Sequence, residues 1–162
     1  MKKIYLSVVC LLISIPLIAQ LYVEPEKEVE CSVFLAKEGR GRAQQGLEIW
    51  DDYIFSCEDG GHVNIYDFKS ADPKPVAGFE LASSHPDNHV NNVCFGVETK
   101  RGASFPLLYI TNGKVGSELE WLCFVESITR RGKRFSSEIA QTIELDGSKW
   151  AEKGYVPIFG AP

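Results

Sequence analysis

The sequence predicts an all-β fold made of antiparallel strands. Strand-sized runs of apolar, aromatic and β-branched residues alternate with short groups of glycine, asparagine, aspartate and proline, as in sheets whose strands are joined by tight turns. Several of these runs carry apolar residues at every second position, which is the period of a strand with one buried face. No long run has the period of a helix. These observations place the chain in the all-β class.

The first three predicted strands form a meander. They cover residues 52–57, 62–68 and 75–81. The first two are separated by Glu58-Asp59-Gly60-Gly61, which is a strong hairpin pattern because glycine accepts the positive φ that tight turns need. Residues 44–47 lead into this group.

A second group of runs repeats this order. Its predicted strands cover residues 88–95, 106–111, 119–128 and 137–145, with a basic turn at residues 129–134. Residues 106–111 are apolar on both faces, as in a strand that is covered on both sides. Matching pieces of the two groups recur roughly 45 to 60 residues apart, within the range of repeats that each form one four-stranded unit. We therefore interpret the chain as two antiparallel four-stranded meanders.

The first nineteen residues have the three parts of a secretory signal peptide. A basic head of two lysines is followed by an apolar core over residues 4–18 and by the small residue Ala19. A membrane anchor is the alternative, but a bilayer needs about 20 apolar residues, and this run contains Pro16. A lipoprotein would use Cys10, which lacks the usual small-residue motif before it. We expect an exported protein of the periplasm, cell surface or extracellular space, with no membrane segment after cleavage.

The acidic composition excludes one class of partner. The formal net charge is −5, and cleavage of the signal makes the rest more acidic because that segment carries two lysines and no acidic residue. A nucleic-acid-binding protein needs a basic surface, so nucleic acid is not expected as a partner. The length suits one domain. The predicted parts are a signal peptide (1–19), a charged lead-in (20–43) in which residues 30–36 fit a first strand, the two units (44–145) and a C-terminal segment (146–162).

Four cysteines remain after cleavage. They are Cys31, Cys57, Cys94 and Cys123. An even number in an exported protein permits two disulfides. The last three lie inside apolar strand-like runs, however, where a free cysteine behaves as a small buried apolar residue, so we favour buried thiols. There is no Cys-x-x-Cys pair and no Cys/His spacing typical of zinc.

Five short segments carry a family resemblance. They are Gln45-Gly46-Leu47, Tyr53-Ile54-Phe55, Ile65-Tyr66-Asp67-Phe68, Asn88-His89-Val90-Asn91-Asn92 and Phe105-Pro106-Leu107-Leu108-Tyr109-Ile110. In this order, over residues 44–145, the chain resembles the secreted bacterial β-propellers of the YVTN and WD-repeat type. The resemblance implies propeller-like blades of four strands each, about two of them in this chain.

The chain is shorter than a complete propeller of that family. Propellers close with typically four to eight blades, and the cleaved chain has room for roughly two and a half. An unclosed pair would leave exposed sheet edges. Three explanations are open: a piece of a longer propeller in which residues 146–162 begin a third blade, self-association through the open edges, or a compact β-sandwich. The truncated, partial propeller is our first choice.

The densest polar cluster is the candidate ligand-binding site. It contains Asp87, Asn88, His89, Asn91 and Asn92, between the last strand of the first unit and the first strand of the second. In a propeller that first strand lines the central channel. Asparagine and aspartate offer oxygen ligands suited to Ca²⁺, and a histidine can act as a base near neutral pH. The other interpretation is a polar loop in which Asp87 and Asn88 make side-chain turn bonds and His89 anchors the backbone.

The sequence therefore leaves function open between several classes. The first is an exported binding or scaffold protein with an unidentified small ligand or protein partner and no cofactor. The alternative is a calcium-assisted hydrolase, since the resemblance extends to lactonase-type propellers with asparagine and aspartate ligands on inner strands. A structural component of the cell envelope is the third class. No catalytic residue can be assigned. The run Arg130-Arg131-Gly132-Lys133-Arg134 fits either a polyanion patch or, as we favour, a turn kept soluble by its charges.

Overall fold

A computed structural model describes residues 43–72, 74–114, 116–147 and 152–153. The predicted signal peptide, the first strand predicted at residues 30–36, Cys31 and most of the C-terminal segment lie outside these ranges. The described residues form eight β-strands and no helix, so the predicted all-β class is confirmed. Accordingly, these residues include no helix of the length and apolarity that crossing a membrane requires.

The strands form two antiparallel sheets of four. Sheet A consists of β1 (Gln44–Trp50), β2 (Tyr53–Glu58), β3 (His62–Asp67) and β4 (Ala77–Glu80). Sheet B consists of β5 (Asn92–Phe95), β6 (Leu108–Thr111), β7 (Leu122–Arg131) and β8 (Arg134–Glu144). Within each sheet, every strand pairs with the next strand along the chain. Both sheets are therefore simple meanders, as the sequence predicts.

Strand β1 is longer than the sequence indicates. Residues 44–47 are predicted only as a lead-in, but β1 runs on to Trp50 and pairs with β2 along its length. Leu47 and Ile49 are 56% and 44% exposed. Since these apolar residues do not form a buried face, β1 lacks the usual pattern of buried apolar and exposed polar residues. The strand is therefore difficult to recognise from the sequence. Its pairing with β2 supplies the backbone hydrogen bonds that define it.

The basic run near residue 130 belongs mainly to strands. The sequence predicts a turn over residues 129–134, but β7 continues to Arg131 and β8 begins at Arg134. Arg130 lies in register with Phe135, and its guanidinium carbon is 4.9 Å from the centre of the Tyr53 ring. A cation over an aromatic face is stabilised by the ring quadrupole. This contact with sheet A explains why the strand continues into the basic run, which the sequence predicts to be a solvent-exposed turn.

The hydrophobic core lies between the two sheets. Alternate residues of each strand point into it, as the strand period requires. Sheet A contributes Phe55, Cys57, Val63, Ile65 and Phe79, and sheet B contributes Val93, Leu108, Ile110, Phe124, Ile128 and Phe135. The rings of Phe55 and Phe105 meet edge to face with centroids 5.2 Å apart. Burial of each large side chain contributes about 1.5–3 kcal/mol, so this layer is the main force that holds the sheets together.

The two sheets stack in the same strand order. β1 contacts β5, and β4 contacts β8. At the first of these contacts a Cβ on Gly46 would lie 2.9 Å from Val93 Cγ2 and 3.0 Å from the Val90 carbonyl oxygen. Only glycine permits this approach of the two backbones. The first strands of the two meanders therefore lie side by side, as do the last.

Candidate functional site

Residues 81–91, here called the crossover segment, connect β4 of sheet A to β5 of sheet B. The segment docks on the β2–β3 hairpin through main-chain hydrogen bonds. Leu81 N donates to Gly61 O (2.8 Å), His85 N donates to Gly60 O (3.2 Å), and Gly60 N donates to Asn88 O (2.7 Å). Gly61 has φ of 96°, which favours glycine. The hairpin glycines predicted from the sequence thus also position the candidate site.

Asn88 is a structural element of the crossover segment. Its side chain is fully buried, and its Nδ2 donates to the carbonyl oxygen (2.9 Å) and the hydroxyl oxygen (3.2 Å) of Ser83. Its Oδ1 accepts the N–H of Val90 at 3.2 Å. Val90 has φ of 36°, which is unusual for a β-branched residue. All polar atoms of the Asn88 amide group are used in this turn.

The predicted strand over residues 88–95 is correspondingly shorter. β5 begins only at Asn92, because the turn bonds of Asn88 and the positive φ of Val90 are incompatible with extended backbone. Asn88, His89 and Asn91 therefore precede the first strand of sheet B instead of lying on it as predicted, and Asp87 lies before them in the crossover segment. Asn92 itself is exposed and lies in register with Thr111.

His89 joins the crossover segment to both sheets. Its backbone N–H donates to Asn112 Oδ1 at 3.0 Å, and Asn112 is buried. Its ring Nε2 lies 3.4 Å from Asp59 Oδ1 and 3.4 Å from Gln45 Nε2. The His89 side chain is 34% exposed. The imidazole is thus held by polar neighbours while part of the ring remains open to solvent.

The two other candidates contact the loop that follows β6. Asp87 forms an ion pair with Lys114, and the hydrogen bond and charge of that lysine lower the pKa of Asp87. Asn91 N donates to Thr111 O at 3.1 Å, and a Cβ on Gly113 would overlap the Asn91 side chain. The structure therefore brings Asp87, His89 and Asn91 to the same loop, whereas Asn88 points into the interior.

All three histidines of the chain lie at this end of the two sheets, each next to a carboxylate. His62 Nδ1 is 3.0 Å from Glu80 Oε1, and His85 Nε2 is 3.3 Å from Glu118 Oε1. The third pair is the one between His89 and Asp59. Within the described ranges, however, no three His, Cys, Asp or Glu side chains come close enough to hold a metal ion together.

Glu126 of β7, a residue outside the predicted site, is a carboxylate that holds the start of the crossover segment. Glu126 is fully buried, and its two oxygens accept the backbone N–H groups of Ala82 (3.0 Å) and Ser83 (2.8 Å). A signal for it was present, since Glu126 has the same strand parity as the core residues Phe124 and Ile128. A buried carboxylate needs hydrogen-bond donors. The apolar residues on either side of Glu126 in the sequence do not indicate which groups donate to it.

Two further buried groups lie outside the predicted site. Glu58, at the end of β2, is fully buried, and its Oε1 accepts Asn64 Nδ2 at 2.9 Å, while no hydrogen bond is described for its Oε2. Cys57, its neighbour, faces the core. Burial, together with the charge of Glu126, raises the pKa of the Cys57 thiol to about 12.

The described cysteines are free thiols, as the sequence analysis favours. Cys57 and Cys123 are buried and Cys94 is half-buried. Burial raises the pKa of Cys94 and of Cys123 above the ordinary value. Since thiolates are the reactive form, these three side chains serve mainly as packing groups.

No protein-family model and no curated protein matches the chain. The candidate site therefore rests on its geometry alone.

Proposed function

We propose that this chain is an exported binding or scaffold module built from propeller-like blades. The observation that supports blades is the stacking of two like meanders, β1 on β5 and β4 on β8. The crossover segment runs from the last strand of one sheet to the first strand of the next. Repeated four-stranded units around a channel need this order, because each meander starts at its inner edge and ends at its outer edge. A two-sheet sandwich is the simpler description of the same eight strands.

The hydrogen bonds of the crossover segment support binding or scaffolding in preference to catalysis. The amide of Asn88 is used inside the turn, and the carboxylate of Asp87 is paired with Lys114. These groups stabilise the connection between the sheets. The groups left at the surface are the His89 ring, the Asn92 side chain and the histidine–carboxylate pairs. We propose this polar end as the contact surface for a small ligand or a protein.

One observation favours a second candidate, the calcium-assisted hydrolase. His89 lies 3.4 Å from Asp59 and is partly open to solvent, and an acidic neighbour can orient an imidazole that acts as a base. Calcium would then need oxygen ligands from Asn91, Asn92 and the neighbouring carboxylates. The two candidates make opposite predictions for calcium.

Thermal unfolding with and without Ca²⁺, combined with a lactone hydrolysis assay, separates them. The variants are His89→Ala and Asn91→Ala, and the matched control is Gln141→Ala, an exposed side chain on β8. For a binding or scaffold module, Ca²⁺ leaves the melting temperature unchanged and no protein hydrolyses the lactone. A calcium-dependent rise in melting temperature, together with turnover that both site variants lose and the control keeps, would establish the hydrolase instead.

A further inference from the structure

A groove lies along the β7–β8 hairpin, and one residue that lines it, Ser137, also accepts the backbone N–H of Ala82 in the crossover segment. Its volume is about 760 Å³, and it is lined by Ser127, Thr129, Arg131, Arg134, Phe135, Ser136, Ser137 and Glu138. Six of these residues form three cross-strand pairs, Ser127–Glu138, Thr129–Ser136 and Arg131–Arg134. Ile128 and Phe135, at the positions between them, belong to the core. The three pairs therefore share the face that points away from sheet A.

Two arginines that line this groove face each other across the hairpin. Arg131 and Arg134 are direct register partners and both are exposed. Like charges placed directly opposite each other destabilise a sheet. Within the described part of the chain, neither guanidinium forms an ion pair with a carboxylate. The hairpin thus holds two positive charges together without compensating them.

The single acidic residue among those lining the groove is already neutralised. Glu138 Oε1 lies 2.8 Å from Lys100 Nζ, and Lys100 comes from the loop between β5 and β6. Arg130, the neighbouring arginine, does not take part, because it lies over the Tyr53 ring and its Nε donates to Gly132 O at 2.8 Å. The net charge of the groove is therefore positive, in a chain whose formal net charge is −5.

Hydroxyl groups also line the groove, next to the two arginines along β7 and β8. Ser127 is only 1% exposed, and Thr129 and Ser136 form the next pair. Ser127, Thr129 and Ser136 all line the groove. They are donors that a ligand in the groove can use.

We propose that this groove binds a tetrahedral oxyanion, free or as the phosphate or sulfate ester of a saccharide. Guanidinium groups match such oxygens with two parallel hydrogen bonds each, and a bound anion would relieve the repulsion between Arg131 and Arg134. The groove volume falls in the usual range for small-molecule sites, about 300–1,000 Å³, so there is room for a sugar next to the anion. This inference stands apart from the proposed function, because neither Arg131 nor Arg134 belongs to the polar surface proposed there.

Calorimetric titration of the purified protein tests the proposal. The probes are inorganic phosphate, inorganic sulfate, glucose 6-phosphate and glucose 6-sulfate, at constant ionic strength adjusted with chloride. The test variants are Arg131→Gln and Arg134→Gln. Lys133→Gln is the matched control, since it removes the same charge from the same hairpin but does not line the groove. We expect each arginine variant to weaken binding at least about tenfold, because each loses charge-assisted hydrogen bonds, and the control to stay within about twofold.

The outcomes are distinct. Tighter binding of the esters than of the free anions would identify a saccharide ester as the ligand, and equal affinities would identify the free anion. If Lys133→Gln weakened binding as much as the arginine variants do, affinity would depend only on the total charge of the hairpin. That result would overturn the proposed site and indicate nonspecific electrostatic attraction. Absence of binding by the wild-type protein at tens of millimolar of every probe would also overturn it. Circular dichroism of each variant verifies that the sheets remain folded.

Discussion

The Glu126 carboxylate of sheet B accepts the backbone N–H of Ser83 at 2.8 Å, at the point where the chain leaves sheet A. The two residues are 43 positions apart in sequence. Ala82 N donates to the other oxygen and also to Ser137 Oγ at 2.9 Å, so Glu126 and Ser137 of sheet B together fix the start of the crossover segment. This contact connects the two meanders through hydrogen bonds, in addition to the apolar layer between them.

Replacement of Glu126 by glutamine should therefore destabilise the fold. An amide retains only one acceptor oxygen, so the N–H of Ala82 or of Ser83 would face a second donor in a buried environment; of the two, Ala82 also donates to Ser137 Oγ. Hydrogen bonds to charged groups contribute about 1.5–3 kcal/mol each, and we expect Glu126→Gln to lower the free energy of unfolding by about 2–4 kcal/mol. Urea denaturation at pH 7 measures it. Glu144→Gln, an exposed carboxylate on β8, is the control and should change it by less than about 0.5 kcal/mol. Equal stability of the two variants would contradict the role of Glu126.

The two interpretations of the polar cluster can be distinguished by stability at Asn88. Asn88→Ala removes three side-chain hydrogen bonds from a fully buried position, and leaves buried polar groups of Ser83 and Val90 unpaired. The expected loss in unfolding free energy is about 2–4 kcal/mol. Asn92→Ala, at an exposed position of β5, should cost less than about 0.5 kcal/mol. If Asn88→Ala proved as stable as Asn92→Ala, the turn bonds of Asn88 would not be structural.

Much of the fold could be predicted from local patterns. The strands β2, β3 and β6 and the hairpin at Glu58-Asp59-Gly60-Gly61 follow from alternation and from glycine at positions of positive φ. These signals are local, since each depends on residues within a few positions of one another. The four-stranded meander of each sheet follows once the strands and short connections are recognised.

The remaining features depend on contacts between distant residues. The strand parity of Glu126 indicates an inward position, but its hydrogen-bond partners, the backbone N–H groups of Ala82 and Ser83, lie more than forty residues away in sequence. Arg130 resembles part of a charged turn, and only the rings of Tyr53 and Phe135 make it part of a strand. A single sequence does not show which distant residues contact one another. The position of the candidate site could therefore be predicted, but the hydrogen bonds within it could not be.

A comparison of two glycines with similar backbone angles should isolate the docking of the crossover segment. Gly61 and Gly102 have φ of 96° and 88°. A Cβ on Gly61 would lie 2.8 Å from Ser84 Cα, whereas one on Gly102 would meet nothing within 4 Å. Gly102→Ala should cost about 1–2 kcal/mol for the unfavourable φ alone. Gly61→Ala should cost about 1–3 kcal/mol more, because backbone atoms must move apart. Thermal unfolding of both variants measures the difference, and equal losses would show that the hairpin and the crossover segment are not tightly packed.

The buried thiol of Cys57 should make the fold sensitive to alkaline pH. Its pKa is about 12 in the folded protein, against an ordinary value of 9.0, so between these values the unfolded chain binds fewer protons than the folded one. Unfolding then releases a proton, and stability falls as pH rises, by up to about 1.4 kcal/mol per pH unit. Well below pH 9 the thiol is protonated in both states and has no such effect.

Comparison with Cys57→Ala separates this effect from those of other groups that titrate at alkaline pH. Urea denaturation of both proteins in reducing buffer between pH 8 and 10.5 gives the two slopes. The cavity left by the substitution lowers stability at every pH, but the loss of stability above pH 9 should be less steep in the variant. Parallel curves for the two proteins would mean that Cys57 ionises equally in the folded and unfolded states, and that its burial next to Glu126 does not hold the proton.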